Sequence, residues 1–459
     1  MRISALAIAA AVAFQLFIEP LEARNTSAAP SDTLALSLEE SVRLALANNA
    51  GIRAGREKVR EASARVDEAG TAFLPQLTGS AGYTRLDMAP YIPTSRIASI
   101  LGGSGVMPPG RTLPDKIALG LPDNYAASLE LRQPLYAAGR IGNAYAISKL
   151  ARSETESELD RTSIEIAFEA KRAYLECVEA RKLEDVASET VRQLEAHLKD
   201  VQAMSEAGLA ATNDVLKTKV YYSDAKLSLM RSQHAVSLAR KNLCSIIDVP
   251  LTKEIVLTTT ADSVTETAID LDAAVRNGIA KRPELAAIAC RKLMARKEIE
   301  TSRNGYFPTV SFFADLSYQY PDRDYAKEFY SSWKLGVVAQ MNVFDWGRTV
   351  YQTRQSRSRL VEIETTEQGV RDAVTLDVTR TYLTLLDAWN AIQVAREGLA
   401  QADENHRVTL ERFKEGLATN TDLLDAEVLL AASKTNFHTL TIEYLIAQAD
   451  LERATGGTQ

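Results

Sequence analysis

The chain has 459 residues, of which 46% are hydrophobic and 25% charged, as expected of an ordered protein large enough for more than one structural layer. Its net charge of −7 comes from 53 basic and 60 acidic residues, which argues against a nucleic-acid partner. Three cysteines without CxxC spacing, four scattered histidines and the absence of nucleotide-binding or hydrolase motifs predict no enzyme and no metal or cofactor site.

The N-terminus has the pattern of a secretory signal peptide. Arg2 precedes the apolar run "ISALAIAAAVAFQLF", and Ala23 offers a small residue for cleavage. The run is shorter than the about 20 residues that a membrane-spanning helix needs, and no later run is long enough. We therefore expect residues 1–23 to be a signal peptide.

The rest of the chain is one unit that occurs twice. The phrase "GLAATNDVLKT" at 208–218 returns as "GLATNTDLLDA" at 416–426, and a shift of 208 residues keeps the copies aligned around it. Earlier in the chain the shift is 233, because a Gly/Pro-rich loop lengthens the first copy by 25 residues. We assign the first repeat to residues 24–250 and the second to residues 251–459.

Each repeat is predicted to begin with a helix and to continue into a β-hairpin, at 74–136 in the first copy and 307–344 in the second. Ser37 with Glu40 forms a capping-box pattern before the first helix, and Asp270 starts its counterpart. Apolar and polar residues then alternate along the strands, so each strand has one apolar face. Such strands fit either a soluble sandwich or a membrane barrel.

Long helices are predicted to follow each hairpin, at 140–249 and 348–454. Residues 143–207 contain no Gly or Pro, which allows a helix of about 97 Å at about 1.5 Å per residue. Apolar residues at 166–177 have coiled-coil spacing and are mirrored at 374–385. Helices of this length bury little within one chain and therefore need neighbours.

The repeated phrase is predicted to be a tight turn between two helices. Gly208 and Gly416 occupy the position of the left-handed glycine that ends a helix. Asp214 and Asp422 then fall in the first turn of the next helix, where an acid stabilises the helix by about 0.3–1 kcal/mol without any further role. The capping candidates are Thr212 or Asn213 in the first copy and Thr419 or Asn420 in the second.

Four strands per chain cannot close a membrane barrel, because about eight is the smallest number and open edges are not tolerated in lipid. A membrane barrel must therefore be shared between chains, with the helical turns at its far end and the loop at about 87–123 outside the cell. The alternative is a soluble periplasmic coiled-coil scaffold with a β domain.

The chain resembles the TolC family of outer-membrane efflux and secretion channels. The resemblance rests on "LEESVRLALANN", the strand entries "FLPQL" and "YFPTV", the Gly-Arg pairs after the return strands and the two "GLA-x-x-x-D" turns, and it covers nearly all of the mature chain. It implies a mixed α/β membrane protein with a tandem-repeat protomer. Three protomers would share a 12-stranded outer-membrane β-barrel, and their antiparallel coiled-coil helices would form a periplasmic α-barrel.

The resemblance also implies the function and the partners. The expected function is a passive exit duct for small-molecule efflux, and the alternative is the exit channel of a type I protein secretion system. The expected partners are two further copies in a homotrimer, a periplasmic adaptor protein, an inner-membrane transporter of the RND or ABC type, and outer-membrane lipid.

Residue roles at the turns follow from the same resemblance. Asp422 and Asp425 match aspartates that ring the narrow entrance, and Asp214 matches an aspartate that helps to close it. The partners of that closing aspartate correspond here to Phe413 and Ala418, which lack the hydroxyl and the charge, so these bridges cannot form. The expected adaptor-docking residues are Gly208, Leu209, Gly416 and Leu417.

Overall fold

The structure is a computed structural model that describes residues 33–94, 115–259, 264–266, 268–322 and 326–457. The predicted signal peptide and residues 95–114 of the long loop lie outside these ranges. The strands are β1 (Thr33–Leu36), β2 (Gln76–Arg85), β3 (Tyr91–Pro93), β4 (Lys116–Ala118), β5 (Asp123–Tyr136), β6 (Glu254–Leu257), β7 (Thr309–Tyr320) and β8 (Tyr330–Gln340). The helices are α1 (Leu38–Asn48), α2 (Ala50–Thr71), α3 (Arg140–Glu206), α4 (Thr212–Ile246), α5 (Leu271–Lys281), α6 (Pro283–Arg303), α7 (Arg348–Lys414) and α8 (Asn420–Ala454).

The strands of the two predicted hairpins form one antiparallel sheet in the order β2-β5-β7-β8. The pairing of β5 with β7 runs from Tyr125 opposite Tyr320 to Tyr136 opposite Val310, and it joins the two repeats. Apolar side chains such as Trp333, which is 74% exposed, cover one face of this sheet. β2 and β8 are its edge strands, so the described part of the chain leaves both edges open.

Two pairs of long helices extend from the sheet. α3 and α7 have 67 residues each, about 100 Å at about 1.5 Å per residue, and α4 and α8 return over 35 residues each. α3 packs against α4, α7 packs against α8, and α8 also packs against α3. Among the described residues, no helix combines the length and the apolar character needed to cross a membrane.

A small core lies where the long helices meet the short ones. The parallel strands β1 and β6 cover Tyr174, whose hydroxyl donates to the carbonyl of Leu36 at 3.1 Å and accepts from the amide of Thr259 at 3.0 Å. Cys177 is buried in the same cluster, and burial raises the pKa of its thiol to about 12. β6 follows the predicted boundary at residue 250, so this sheet takes one strand from each predicted repeat.

The single helix expected before each hairpin is instead two helices. The first break is at Asn49, whose side chain accepts from the amide of Gly51 at 2.8 Å and caps α2. The second is at Arg282, which is held extended because it precedes Pro283. Asn49 donates to the carbonyl of Ile246 at 2.9 Å, and Arg282 donates to that of Ala454 at 3.3 Å. Equivalent contacts therefore tie both breaks to the ends of α4 and α8.

Candidate functional site at the two helical turns

The two turns that join α3 to α4 and α7 to α8 have the same backbone geometry. Gly208 and Gly416 have φ of 74° and 75°, in the left-handed region that favours glycine. The amide of Leu209 donates to the carbonyl of Met204 at 2.8 Å, and the amide of Leu417 donates to that of Arg412 at 2.7 Å. Both helices therefore end in a Schellman motif, which satisfies their last carbonyl groups.

The caps of the following helices differ between the copies. Thr419 caps α8, since its hydroxyl accepts from the amide of Asp422 at 3.2 Å and its own amide donates to the Asp422 carboxylate at 2.8 Å. In the first copy the N-cap is Ala211, so the prediction of Thr212 or Asn213 was wrong. The Asp214 carboxylate supports this cap by accepting from the amide of Ala211 at 3.3 Å, and the Asp214 amide donates to the carbonyl of Ala211 at 2.9 Å. The first-copy cap therefore lacks the side-chain acceptor that a Thr or Ser would supply.

A buried polar cluster joins the two turns, and sequence reasoning missed it. We call His197, Thr218 and Asn420 the tip cluster. His197 Nε2 donates to Asn420 Oδ1 at 2.7 Å, and Asn420 Nδ2 donates to Thr218 Oγ1 at 3.2 Å. Thr218 in turn donates to the carbonyl of Asp214 at 2.8 Å. The tip cluster therefore fastens the start of α8 to both α3 and α4.

Phe413 packs against the tip cluster, with its ring centroid 5.2 Å from that of His197 in an edge-on arrangement. Burial lowers the pKa of His197, while the hydrogen bond that its ring donates to Asn420 opposes this shift. Ala418 is half-buried in the second turn. The contacts between Phe413 and the tip cluster therefore consist of ring packing, beside the hydrogen bonds within the cluster.

The predicted entrance acids lie on the exposed side of α8. Asp422 and Asp425 are both exposed, and hydrogen bonds from Thr419 hold the pKa of Asp422 below its usual range. Asp214 is half-buried. Among the described residues, no three His, Cys, Asp or Glu side chains come close enough together to hold a metal ion.

Besides the tip cluster, sequence reasoning also missed Glu427. It follows Asp425 by two residues on α8, and it is buried with its Oε2 atom making no hydrogen bond. Burial raises the pKa of Glu427 to about 7. An acid at an apolar position of the stripe formed with Leu423 and Leu430 was the available signal in the sequence.

The predicted docking leucines are large apolar residues that are exposed at the turns. Leu209 is 75% exposed and Leu417 is 64% exposed, and a side-chain Cβ at either turn glycine would meet open space. The glycines are therefore required by their backbone conformation and not by close packing. The turns present apolar side chains directly to solvent in the single chain.

Comparisons with known proteins agree with this architecture. The chain matches the family model described as outer membrane efflux protein over residues 42–247 and 275–457. It is 23% identical to outer membrane protein TolC of Vibrio cholerae over 343 residues, which cover 73% of this chain and 77% of that relative. It is 23% identical to the pyoverdine export outer membrane protein OpmQ of Pseudomonas aeruginosa over 427 residues, which cover 92% and 85%. The structure of the Campylobacter jejuni CmeC outer membrane channel has a TM-score of 0.74 at 15% identity, over 92% of this chain and 85% of that chain.

A four-stranded sheet at one end and paired long helices ending in two turns at the other define a tandem-repeat fold, which this chain shares with that structure. The chain belongs to the outer membrane efflux protein family. The predicted fold class is confirmed, as are the location in the outer membrane with the helical tunnel in the periplasm and the absence of an enzymatic role.

Proposed function

We propose that three copies of this chain form the outer-membrane exit duct of a tripartite export system that carries small molecules. The observation that carries the proposal is the sheet with two open edges at one end of a protomer of this family. Three such sheets supply twelve strands, enough to close a barrel in which no edge is left unpaired in lipid. The description of OpmQ as a pyoverdine exporter, over 92% of this chain, supports a small-molecule cargo.

The two turns are the proposed docking site for a periplasmic adaptor attached to an inner-membrane transporter. Leu209 and Leu417 are exposed apolar side chains at the turns, and covering them with a partner would remove apolar surface from water. Gly208 and Gly416 hold the backbone that presents them.

The docking proposal is tested by replacing both leucines with glutamate in one chain. Export should be abolished while trimers still reach the outer membrane, because the turn backbone is unchanged. Leu251→Glu is the matched control, since Leu251 is 55% exposed in the connection at the other end of α4 and should leave export intact. Normal export by the double variant would show that the turns are only structural.

Asp422 and Asp425 are the proposed acids of the entrance. Around a threefold axis each would appear three times, and the two rings would attract cations into the narrow end. Asp425 is the more informative of the two, because Asp422 is also engaged by the Thr419 cap.

Single-channel recording tests the entrance. Asp422→Asn with Asp425→Asn should abolish cation selectivity and block by multivalent cations from the periplasmic side. Asp214→Asn is the control, because that carboxylate supports the first-copy cap. Block that survives the double substitution would identify the acids as helix-capping residues only. Co-purification of the inner-membrane transporter then separates small-molecule efflux from type I secretion.

A further inference from the structure

A Gly-Arg pair follows the return strand of each repeat, and the proposed export function does not use it. Gly139 and Gly347 have φ of 74° and 81°, so the turn from strand to helix favours glycine there. Arg140 and Arg348 are then the first residues of α3 and α7. Both arginines are exposed, and within the described ranges neither guanidinium makes an ion pair. Backbone conformation therefore explains the glycines but not the arginines.

Helix stability does not explain these arginines either. The partial positive charge at a helix N-terminus favours acids and disfavours bases. The helices α1, α4, α5, α6 and α8 each carry an acid in the first turn, whereas α3 and α7 carry none. Residues 138–153 hold three bases, residues 346–361 hold four, and neither stretch contains an acid. Both long helices therefore begin with a run of bases that their own dipole opposes.

The two ends of the sheet differ in charge. At the helix end, the acid that precedes the second basic stretch is Asp345, which caps α7 by accepting from the amide of Thr349 at 2.9 Å. At the loop end, Arg85 lies 3.3 Å from the Asp123 carboxylate. The described residues of the loop end include five acids and three bases, namely Asp87, Asp115, Asp123, Asp322, Glu328, Arg85, Lys116 and Lys327. Only the helix end of the sheet is therefore basic.

Exposed aromatic side chains indicate where the helix end of the sheet meets lipid. Phe73 precedes β2, Tyr136 ends β5, Phe307 precedes β7 and Phe344 follows β8, and all four are 48–72% exposed. Aromatic residues of membrane proteins concentrate at the boundary between lipid and water. Arg140 follows Tyr136 by four residues. The bases therefore begin where the aromatic side chains end.

Trp346 is an aromatic side chain that its own chain leaves uncovered. Its φ of 54° is unusual for a bulky residue, yet it is 86% exposed and its ring contacts Phe344, with the centroids 4.9 Å apart. The equivalent residue of the first repeat is Ala138, which has φ of 51° and is only 5% exposed. Both repeats therefore share the left-handed turn, but only the second repeat places an indole there. An indole suits a membrane interface, because its ring is apolar and its N–H is polar.

We propose that Arg140 and Arg348 bind the phosphate groups of anionic phospholipids at the periplasmic face of the outer membrane, beside these aromatic side chains. Guanidinium and phosphate form strong charge-assisted hydrogen bonds, and bases next to a membrane attract lipids of net negative charge. The basic surface is continuous with the apolar face of the sheet, which lies in the outer membrane. The inference rests on this location, and it adds which class of lipid the protein selects.

Brominated lipids, which quench tryptophan at short range, test the contact. With Trp333→Phe and Trp389→Phe, Trp346 is the only tryptophan of the chain. The protein is placed in vesicles of phosphatidylcholine and phosphatidylglycerol, one of which is brominated close to the carbonyl end of its acyl chains. At equal bromine content, phosphatidylglycerol should quench Trp346 more strongly, by up to about fivefold, the enrichment expected near one base. Equal quenching by the two lipids, or no quenching by either, would overturn the proposal.

Variants of the arginines test their role. Arg140→Gln with Arg348→Gln should abolish the excess quenching by phosphatidylglycerol, while quenching by phosphatidylcholine remains because the aromatic contact is unchanged. Arg140→Lys with Arg348→Lys keeps the charges and should keep the excess. The matched control, Arg231→Gln with Arg396→Gln, removes two exposed charges from α4 and α7 far from the sheet and should also keep it. An excess that survives the first pair, or that is lost in the lysine pair or the control, would overturn the assignment.

Trp389 provides the control for depth in the membrane. It lies about 60 Å beyond Arg348 along α7, so in a chain that keeps only Trp389 neither lipid should quench it. Quenching of Trp389 as strong as that of Trp346 would overturn the placement at the membrane interface. Trimers are verified by cross-linking before these measurements. Their absence would overturn the proposed function, whereas intact trimers without lipid selection would overturn only this inference.

Discussion

At the scale of single residues, Asn420 and Thr212 show how one substitution separates the two copies. They occupy equivalent positions at the start of α8 and α4, but Asn420 is buried in the tip cluster and Thr212 is exposed. A buried amide must have its hydrogen bonds satisfied, and here His197 and Thr218 satisfy it. Asn420 therefore attaches the start of α8 to the first repeat. Thr212, its equivalent at the start of α4, makes no such buried contact with the second repeat.

Asn420→Ala is expected to lower the free energy of unfolding of the tip by about 1–3 kcal/mol, because it leaves two buried polar groups without partners. Thr212→Ala, the control at the equivalent position, should change it by less than about 0.5 kcal/mol. Hydrogen exchange of the α8 amides measures the difference. Equal exchange in both variants would contradict the role given to the tip cluster.

Glu427 and His197 give the tip opposite responses to pH. Burial lowers the pKa of His197, so the stability gained from the neutral ring is lost as pH falls through about 6.5, the value in the unfolded chain. Burial raises the pKa of Glu427, so stability falls as pH rises from its ordinary value of 4.5 to about 7. Low pH therefore destabilises the tip through His197, and rising pH destabilises it through Glu427.

Glu427→Gln is expected to stabilise the protein increasingly between pH 4.5 and about 7. The gain in the free energy of unfolding should be near zero at pH 4.5 and should reach about 3 kcal/mol above pH 7. This magnitude follows from about 1.36 kcal/mol per unit of pKa shift. Thermal unfolding of the variant and the parent across this range measures it. Asp425→Gln, at an exposed position, is the control and should show no such trend. A constant difference at all pH values would show that the Glu427 carboxyl does not titrate in this window.

At the scale of the helical elements, the left-handed glycines set the length of α3 and α7. Gly416→Ala should destabilise the protein by about 1–2 kcal/mol, because a Cβ strains a residue with φ of 75°. Gly369→Ala is the matched control within α7. Its Cβ would meet nothing within 4 Å, and helix propensity predicts a gain of about 1 kcal/mol. If the melting temperatures of Gly416→Ala and Gly369→Ala shifted in the same direction, the left-handed conformation of Gly416 would not explain the effect of its substitution.

The turns were predictable from the sequence because their signals are local. A glycine, a polar cap and an acid within seven residues of each other report the end of one helix and the start of the next. The cap at Ala211 was mispredicted because backbone and Asp214 contacts replaced the expected threonine side chain. The break at Pro283 was readable from the proline and was overlooked. Helix existence was therefore easier to predict than helix ends.

The tip cluster was not predictable from the sequence, because its residues are far apart in the chain. His197 and Asn420 are 223 positions apart, and each residue alone resembles an ordinary surface polar residue. Their contact depends on the packing of α8 against α3, which local patterns do not report. The roles of Asp422, Asp425 and Asp214 stay predictions, because the structure shows where these acids lie but not what passes them.

At the scale of the whole molecule, the sheet and the turns lie at opposite ends of helices about 100 Å long. The loop between β2 and β5 is therefore expected outside the cell, and the turns in the periplasm. Trypsin added to intact cells should cut this loop, for example after Lys116, and should spare Lys217 and Lys414. Permeabilised outer membranes are the control in which the turn sites become accessible. Cleavage at the turns of intact cells would reverse the orientation.

The pairing of β5 with β7 has a consequence for how the chain folds. These strands are neighbours in the sheet, yet the whole α3–α4 hairpin and the short helices α5 and α6 lie between them in the chain. Contacts between distant segments form late, because loop closure must precede them, whereas helix hairpins form from nearby residues. The helices should therefore assemble first and bring the strands together, so that the membrane-embedded end of the protein is the last part to become ordered.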